Sequence, residues 1–286
     1  MSRSIATELA QLTQRFEAAG IDSARADAEL LIAYVLDISR GAVQAQALVG
    51  GELSNEQSET LDALAARRAA REPLQHLTGV AYFRQLELSV GRGVFVPRPE
   101  TESLAQLAID ALIAAPTDKP IGIDLGTGSG AIALSMAVEV PRAKIYAVEK
   151  SIDAFPFTRK NFESYEYTGA ELRLGDLSDE YTELDGTLDV VASNPPYIPL
   201  AAVPRDPEVR DFDPDLALYG GEDGMTVIRL VSSTARRLLK PGGYLVIEHA
   251  DQQGEQVRGL LLADGWRDVR QHQDLTGRDR SVSAIK

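Results

Sequence analysis

Ile121-Gly122-Ile123-Asp124-Leu125-Gly126-Thr127-Gly128-Ser129-Gly130 is the stretch that decides the fold class of this chain. A short β-branched run ends in an acidic residue, passes through three glycines at every second position, and opens a helical pattern at Ala131. Glycine permits a tight turn and a close approach of backbone to ligand, with the N–H groups exposed towards it. Outward from this loop, strand-like and helical patterns alternate. Lys144–Val148, Glu171–Leu174, Leu188–Ser193 and Tyr244–Glu248 read as short parallel strands alongside Ile121–Leu125. Ala131–Val140, Ser151–Tyr165 and Met225–Leu239 read as the helices between them, and Lys240-Pro241-Gly242-Gly243 as the break before the Tyr244 strand. Such alternation predicts an α/β fold, an open Rossmann-like sheet with helices on both faces and ligands beyond the carboxyl ends of the strands.

The glycine loop alone leaves two ligands open, because Gly126-x-Gly128-x-x-Ala131 also satisfies the dinucleotide fingerprint. Its neighbours favour S-adenosylmethionine. Asp124, acidic at a strand end, repels a phosphate and welcomes an ammonium. Glu149, at the end of the next strand, sits where a carboxylate accepts from both ribose hydroxyls. Asp176 ends the third strand, within reach of an adenine amino group.

One strand further on, Ala192-Ser193-Asn194-Pro195-Pro196-Tyr197-Ile198 follows an apolar run. Asn-Pro is a common turn dipeptide, but here it lies over the place where a methyl donor would point. Asn194 offers one carbonyl acceptor and two amide donors. Pro195 and Pro196 fix φ near −65° and hold the residue before each of them extended. The result is a rigid arc of acceptors with Tyr197 as an aromatic lid, suited to gripping the N–H groups of a planar amine or amide. A primary amide nitrogen is a poor nucleophile, because resonance drains its lone pair. No strong base stands out among His76, His249 and His272, so positioning is the available device. If the Asn194 side-chain carbonyl and the Pro195 backbone carbonyl each accept one N–H, orientation can supply up to roughly 7–11 kcal/mol of the barrier.

Residues 1 to about 77 read as helical. Leu9, Leu12, Phe16 and Ala19 recur at helical spacing before Gly20, Asp22 is placed to cap a second helix, and Ser39 starts a third. Ser54-x-x-Gln57 is a capping-box pattern, and Glu72-Pro73 closes the last segment. A small bundle that docks a substrate, or simply supports the fold, is expected. From Tyr82 the period changes to two: Leu86, Leu88 and Val90 alternate with polar residues, and Gly91-Arg92-Gly93 turns into Val94-Phe95-Val96. These features divide the chain into a helical substrate-docking domain (1–77), a β-hairpin linker (78–97) and a catalytic domain (98–286).

Composition narrows the function classes. The 286 residues contain 44% hydrophobic and 25% charged side chains, ordinary for a globular protein, and no cysteine, which excludes disulfides and thiolate metal sites. No metal-binding constellation is expected. Neither a signal-like apolar stretch in residues 1–20 nor a membrane-spanning run is visible, so a soluble, cytoplasmic protein is expected. The formal charge is −14, from 29 basic and 43 acidic residues. A nucleic-acid binder needs Lys/Arg clusters to neutralise phosphates. Arg67, Arg68 and Arg71, and then Arg236, Arg237 and Lys240, read instead as solvated helix faces.

The quoted motifs resemble the release factor glutamine methyltransferases (the PrmC/HemK type) over nearly the whole chain. Pro73–Gly79, Val94-Phe95-Val96-Pro97-Arg98-Pro99-Glu100-Thr101-Glu102, Asp124–Gly130, Asn194–Tyr197, Leu218–Gly224, Glu248-His249 and Asp274–Arg280 carry the resemblance. It implies a class I S-adenosylmethionine-dependent methyltransferase domain behind a helical bundle. It implies methylation of the glutamine side-chain amide in the Gly-Gly-Gln motif of bacterial class I release factors, with S-adenosyl-L-methionine as donor. The cofactor-contact positions would be Asp124, Gly126, Thr127, Gly128, Ser129, Gly130, Glu149, Asp176, Leu177 and Asn194. Asn194, Pro195, Pro196 and Tyr197 would bind the glutamine, with Asn194, Pro195 and Tyr197 catalytic. Glu149 stands where many members carry Asp, and Leu177 where many carry Trp. Arg98, between two prolines, is read as substrate-side or as an anchor to Glu100 or Glu102. His249 is read as structural or active-site, and Arg278 and Arg280 as structural ion partners. Two other functions fit the motifs: an adenine or guanine amino-group methyltransferase acting on DNA or RNA, and a non-enzymatic S-adenosylmethionine-binding scaffold.

Overall fold

A computed structural model describes residues 3–286, so Met1 and Ser2 of the expected helical segment lie outside the described residues. The chain forms two units. One comprises the residues up to Gly79 together with Pro204–Phe212; the other is Val80–Val203 with Asp213–Lys286.

The first unit contains α1 (Ile5–Ala18), α2 (Ala24–Leu36), α3 (Arg40–Val49), α4 (Asn55–Ala69) and α5 (Leu74–Thr78). Two-residue strands β1 (Arg3–Ser4) and β2 (Glu52–Leu53) pair antiparallel. Phe16, Leu31, Ile32, Leu53 and Leu61 are fully buried and form its core. Local chemistry sets the helix ends. Ser39 Oγ accepts from the Ala42 N–H, and at α4 the Ser54 hydroxyl and Gln57 side chain each accept the other's backbone N–H. Asp22 does not cap α2. Ser23 occupies that position, and its hydroxyl donates instead to Asp27 at 2.8 Å.

The Arg67–Arg71 stretch is not the solvated face expected of it. Arg68 is buried; its guanidinium donates to Asp27 Oδ2 at 2.7 Å and to Glu208 Oε1 at 2.8 Å, while Arg71 holds the other Glu208 oxygen at 2.5 Å. Arg67 pairs with Glu72. Burial alone would raise the Glu208 pKa, yet its side-chain interaction with Asp206 and the hydrogen bonds donated by Arg71 and Arg68 bring it below the usual carboxylate range. These bonds tie Pro204–Phe212 into the helical unit, a grouping that spacing along the chain could not reveal.

In the second unit, β3 (Val80–Phe83) and β4 (Leu86–Ser89) make the hairpin, with Phe83 opposite Leu86. Its turn is therefore Arg84-Gln85, not the expected Gly91-Arg92-Gly93, and Val94–Val96 is not a strand. Arg84 accepts a φ of 51° while its guanidinium clamps Glu139 and Gln106. Val90, Val94 and Val96 are buried by packing with Ala81 and Ala154, which accounts for their apolar alternation without strand pairing.

Next come α6 (Thr101–Ala114), β5 (Ile121–Leu125), α7 (Ala131–Glu139), β6 (Lys144–Glu149), α8 (Phe155–Ser164), β7 (Glu171–Leu174) and β8 (Leu188–Ser193). The helical unit's α9 (Pro207–Phe212) is followed by α10 (Asp215–Leu218), α11 (Thr226–Leu238), β9 (Leu239–Glu248), α12 (Gly254–Ala263), β10 (Arg267–Gln273) and β11 (Asp279–Ile285). The seven strands run in the order β10-β11-β9-β8-β5-β6-β7. The five expected strands are mutually parallel, and β10 and β11 extend one edge antiparallel. Lys240–Gly243 lies inside β9 as an irregularity, because pairing with β8 jumps from Leu188–Leu239 to Val190–Tyr244. One face packs Leu104, Leu112, Leu134 and Ile145; the other packs Ile228, Val231, Leu245 and Trp266. Arg236 stacks over Trp266 at 5.5 Å, while Arg237 and Lys240 pair with Asp185 and Asp189, so this basic cluster is also structural.

Strand order reverses about β5, which lies between β6 and β8. In doubly wound sheets that crevice holds the ligand. Asp124 is in register with Ala192, so the glycine loop and Asn194 leave adjacent strand ends.

Arg68→Met removes the shared cation and leaves two carboxylates buried without it. We predict a loss of about 3 kcal/mol in denaturant unfolding of the full chain, the scale of breaking a buried pair.

Candidate active site

The glycine loop is held from below and open above. Gly126 and Thr127 both donate their N–H to the Val148 carbonyl at 3.0 Å, and Gly130 donates to Thr127. Gly126 and Gly128 have φ of 74° and 56°, and a Cβ at either would meet nothing within 4 Å. At Gly130 a Cβ would press on the Phe162 ring at 3.0 Å. Thr158 Oγ1 donates to the Gly128 carbonyl and Asn161 Nδ2 to the Ser129 carbonyl, two contacts from α8 that spacing in the sequence does not disclose. Thr127 and Ser129 are themselves buried.

Asp124 is fully buried. Its Oδ2 accepts from Thr127 Oγ1 at 2.6 Å and from the Ala133 N–H at 3.2 Å, whereas Oδ1 has no hydrogen-bond partner among the described residues. Burial pushes this carboxyl up to about 7. Glu149, the last residue of β6, accepts from the Gly128 and Ser151 N–H groups, each at 2.7 Å; burial raises its pKa against those bonds. Each carboxylate keeps acceptor sites for a ligand while it shapes the loop. Asp176 lies two residues beyond the end of β7 rather than at its end. Lys150 donates to it at 2.8 Å and Ser178 also bonds it, which depresses its pKa to about 2. Leu177 is half-buried against the α11-side core.

The Asn194–Tyr197 arc emerges from β8. Ser193 Oγ donates to the Leu125 carbonyl at 2.7 Å, which locks the end of β8 to that of β5. Behind the arc stands Leu218–Gly224. Ile198 bridges to Tyr219, and Gln253 Nε2 donates to the Tyr197 carbonyl at 2.9 Å. A Cβ at Gly220 would lie 2.4 Å from the Pro196 carbonyl oxygen, and one at Gly224 2.3 Å from that of Tyr197. Only glycine permits this approach, which gives the glycines of this motif a physical reason. The Pro195 carbonyl accepts no hydrogen bond among the described residues. Asn194 Nδ2 donates to Thr101 Oγ1 at 3.3 Å, and Oδ1 has no hydrogen-bond partner among the described residues. Tyr197 is half-buried against the core, and burial, with the Glu248 carboxylate next, raises its pKa.

Arg98 is not bonded to Glu100 or Glu102. It donates to Asp213 at 2.7 Å and lies over the Phe95 ring, an anchor for the loop that follows α9. His249 is buried with both ring nitrogens engaged, Nδ1 with the Ala250 carbonyl and Nε2 with Gln271, so it is a structural histidine. Arg280 faces Asp274 at 3.6 Å, in agreement with an ion-pair role. Arg278 lines a cavity with Pro99, Glu100, Asp274 and Arg280.

The PrmC N-terminal domain model matches residues 8–79, and a methyltransferase domain model matches residues 118–285. A release factor glutamine methyltransferase of Streptomyces coelicolor is 50% identical over 285 residues, covering 98% of this chain and 97% of its own. That of Bifidobacterium longum is 42% identical, covering 96% and 97%. The chain belongs to the release factor glutamine methyltransferase family. It is an S-adenosyl-L-methionine-dependent protein-glutamine N5-methyltransferase with the class I fold. A 4-amino-L-phenylalanine/4-methylamino-L-phenylalanine methyltransferase of Streptomyces pristinaespiralis is similar too, at 38% identity over 91% of this chain and 88% of its own.

Two predictions follow from the geometry of this methyltransferase. Gly224→Ala drives a Cβ into the Tyr197 carbonyl and should lower kcat by about 10- to 100-fold in initial-rate assays with calorimetric donor affinity retained, since a misplaced arc impairs orientation rather than donor binding. Unfolded carboxylates ionise near about pH 4, whereas folded Asp124 and Glu248 hold their protons up to about 7, so the folded state binds more protons between these limits. Stability should therefore fall as pH rises across that window, and Asp124→Asn should flatten the slope in denaturant titrations.

Proposed function

We propose that this methyltransferase methylates the side-chain amide nitrogen of the glutamine in the Gly-Gly-Gln motif of bacterial class I peptide-chain release factors, in the cytoplasm. The reading is supported chiefly by one observation: the open glycine loop and the Asn194 arc leave neighbouring parallel strands at the point where strand order reverses. No helix among the described residues is long and apolar enough to cross a membrane. The helical segment 1–77 docks the release factor, 78–97 links it, and 98–286 carries the chemistry.

S-adenosyl-L-methionine, when bound, supplies an electrophilic methyl group on a sulfonium. The residues present fit it: a buried acceptor oxygen on Asp124 without a partner and glycines with open space above them. The N–H groups of Gly126, Thr127, Gly128 and Gly130 are spent on holding the loop, so it is the open face above Gly126 to Gly130, with Thr127 and Ser129, that would line its amino-acid portion near Asp124. Glu149 would accept from the ribose, with Asp176 and Leu177 at the adenine. Asn194 would stand between donor and substrate. Its Oδ1 and the Pro195 carbonyl accept the two N–H groups of the glutamine amide, which turns the nitrogen's remaining face towards the methyl. Pro196 holds the arc rigid and Tyr197 packs on the planar amide. Two acceptors also favour a pyramidal, electron-rich nitrogen. After methyl transfer the nitrogen is positively charged and strongly acidic, and its extra proton is lost to solvent.

Labelled donor incubated separately with a purified release factor, stripped tRNA, duplex DNA and 4-aminophenylalanine tests this reading. Label is expected only in the release factor, at the Gly-Gly-Gln glutamine by peptide mapping; label only in nucleic acid or the amino acid overturns it. Asn194→Ala should keep donor affinity within about threefold and lose at least about 100-fold in kcat, the scale of lost orientation.

A further inference from the structure

An asparagine amide has nearly the same shape either way round, but its two ends have opposite chemistry. If Asn194 is to accept an N–H from a substrate amide, Oδ1 must face outward and Nδ2 inward. Something behind it has to set that choice.

Behind it stands Thr101, the first residue of α6 and 3% exposed. Its Oγ1 accepts from Asn194 Nδ2 at 3.3 Å, a length that can tighten when substrate binds. A hydroxyl carries one hydrogen, and once the oxygen accepts, that hydrogen must go elsewhere. Glu248 is the facing acceptor. It is the last residue of β9, 1% exposed, and neither of its carboxyl oxygens has a hydrogen-bond partner among the described residues. Burial pushes this carboxyl up to about 7; Thr101, Arg280 and Asn194 lower it and Glu100 raises it. Arg280 reaches it from β11, Glu100 from the turn before α6 and Tyr197 from the arc, so these are the charged and titratable groups around it. No bond to the carboxyl falls within ordinary hydrogen-bond geometry, yet the Thr101 hydroxyl and the Asn194 amide both face it and favour its ionised form.

We propose that Glu248 and Thr101 are positioning residues which fix the amide orientation of Asn194. The inference rests on the reading of Asn194 as the glutamine-gripping residue. An ionised carboxylate only accepts, so it draws the Thr101 hydrogen towards itself. That leaves the Thr101 oxygen to accept from Asn194 Nδ2, and Asn194 Oδ1 is turned outward. A protonated Glu248, or a glutamine, can also donate, and the relay can then run backwards with Asn194 presenting its NH2 to an N–H it should be accepting.

Steady-state methylation of a full-length release factor by the full chain, from about pH 6 to about pH 9, reads this out. Wild-type kcat should rise through about pH 7. Thr101→Val should lower kcat by about 10- to 100-fold with KM and donor Kd changed by less than about threefold, and Thr101→Ser should restore most of the loss. Glu248→Gln should lower kcat and abolish the rise near pH 7. In an Asn194→Ala background neither substitution should cost anything further, whereas a merely structural role would add its loss. A Thr101→Val variant with wild-type kcat, a Glu248→Gln variant that keeps the pH limb, or additive losses overturn the proposal. Retained donor Kd verifies folding, and Glu248→Gln with its Asn194→Ala double variant decides the matter if Thr101→Val does not fold. A wild-type chain inactive on release factors would instead overturn the functional reading itself.

Discussion

The pairing of β5 with β8 is the constraint on which the rest depends. Both strands are parallel and central, and their register sets Asp124 beside Ala192. Neighbouring strands lie about 4.8 Å apart, so two loops far apart in the chain are brought to within one ligand's width at their carboxyl ends. Ser193 bonded to the Leu125 carbonyl pins the last step of that alignment. A slip of one residue would point the following side chains to the opposite face. The glycine loop and the Asn194 arc would then no longer share a crevice.

Buried carboxylates cluster along the same edge. Asp124 is near the end of β5, Glu149 ends β6 and Glu248 ends β9, and all three are raised by burial. Two of them offset part of that cost by accepting backbone N–H groups, and in doing so they set the conformation of the glycine loop. The third lacks such bonds. An acidic edge of this kind suits a cationic donor and agrees with the strongly negative charge of the whole chain.

Stiffness of the acceptor arc has two sources. The two prolines fix its own torsions, while Leu218–Gly224 closes behind it so tightly that Gly220 and Gly224 admit no side chain. Rigid acceptors lose little freedom when a substrate binds, which is the condition for orientation to lower a barrier. Arg98 and Asp213 secure the far end of the same excursion, where it returns from α9.

How much of this was legible follows from the range of the interactions involved. Short β-branched runs, capping residues and the two motifs at strand ends are local, and the sequence alone determined the five parallel strands, the helix starts at Ser39 and Ser54, the glycine loop at the end of β5 and the family. Local patterns fail where distant partners decide: Arg84 turns the hairpin because Glu139 and Gln106 hold it, and β10, with its run of polar residues, is a strand because β11 pairs with it. Arg68 looked like a surface cation because Asp27 and Glu208 lie 41 and 140 residues away in the chain. Only the tertiary structure decided that Thr101 and Glu248 stand behind Asn194, since a hydrogen bond between side chains from separate elements leaves no periodicity in the sequence.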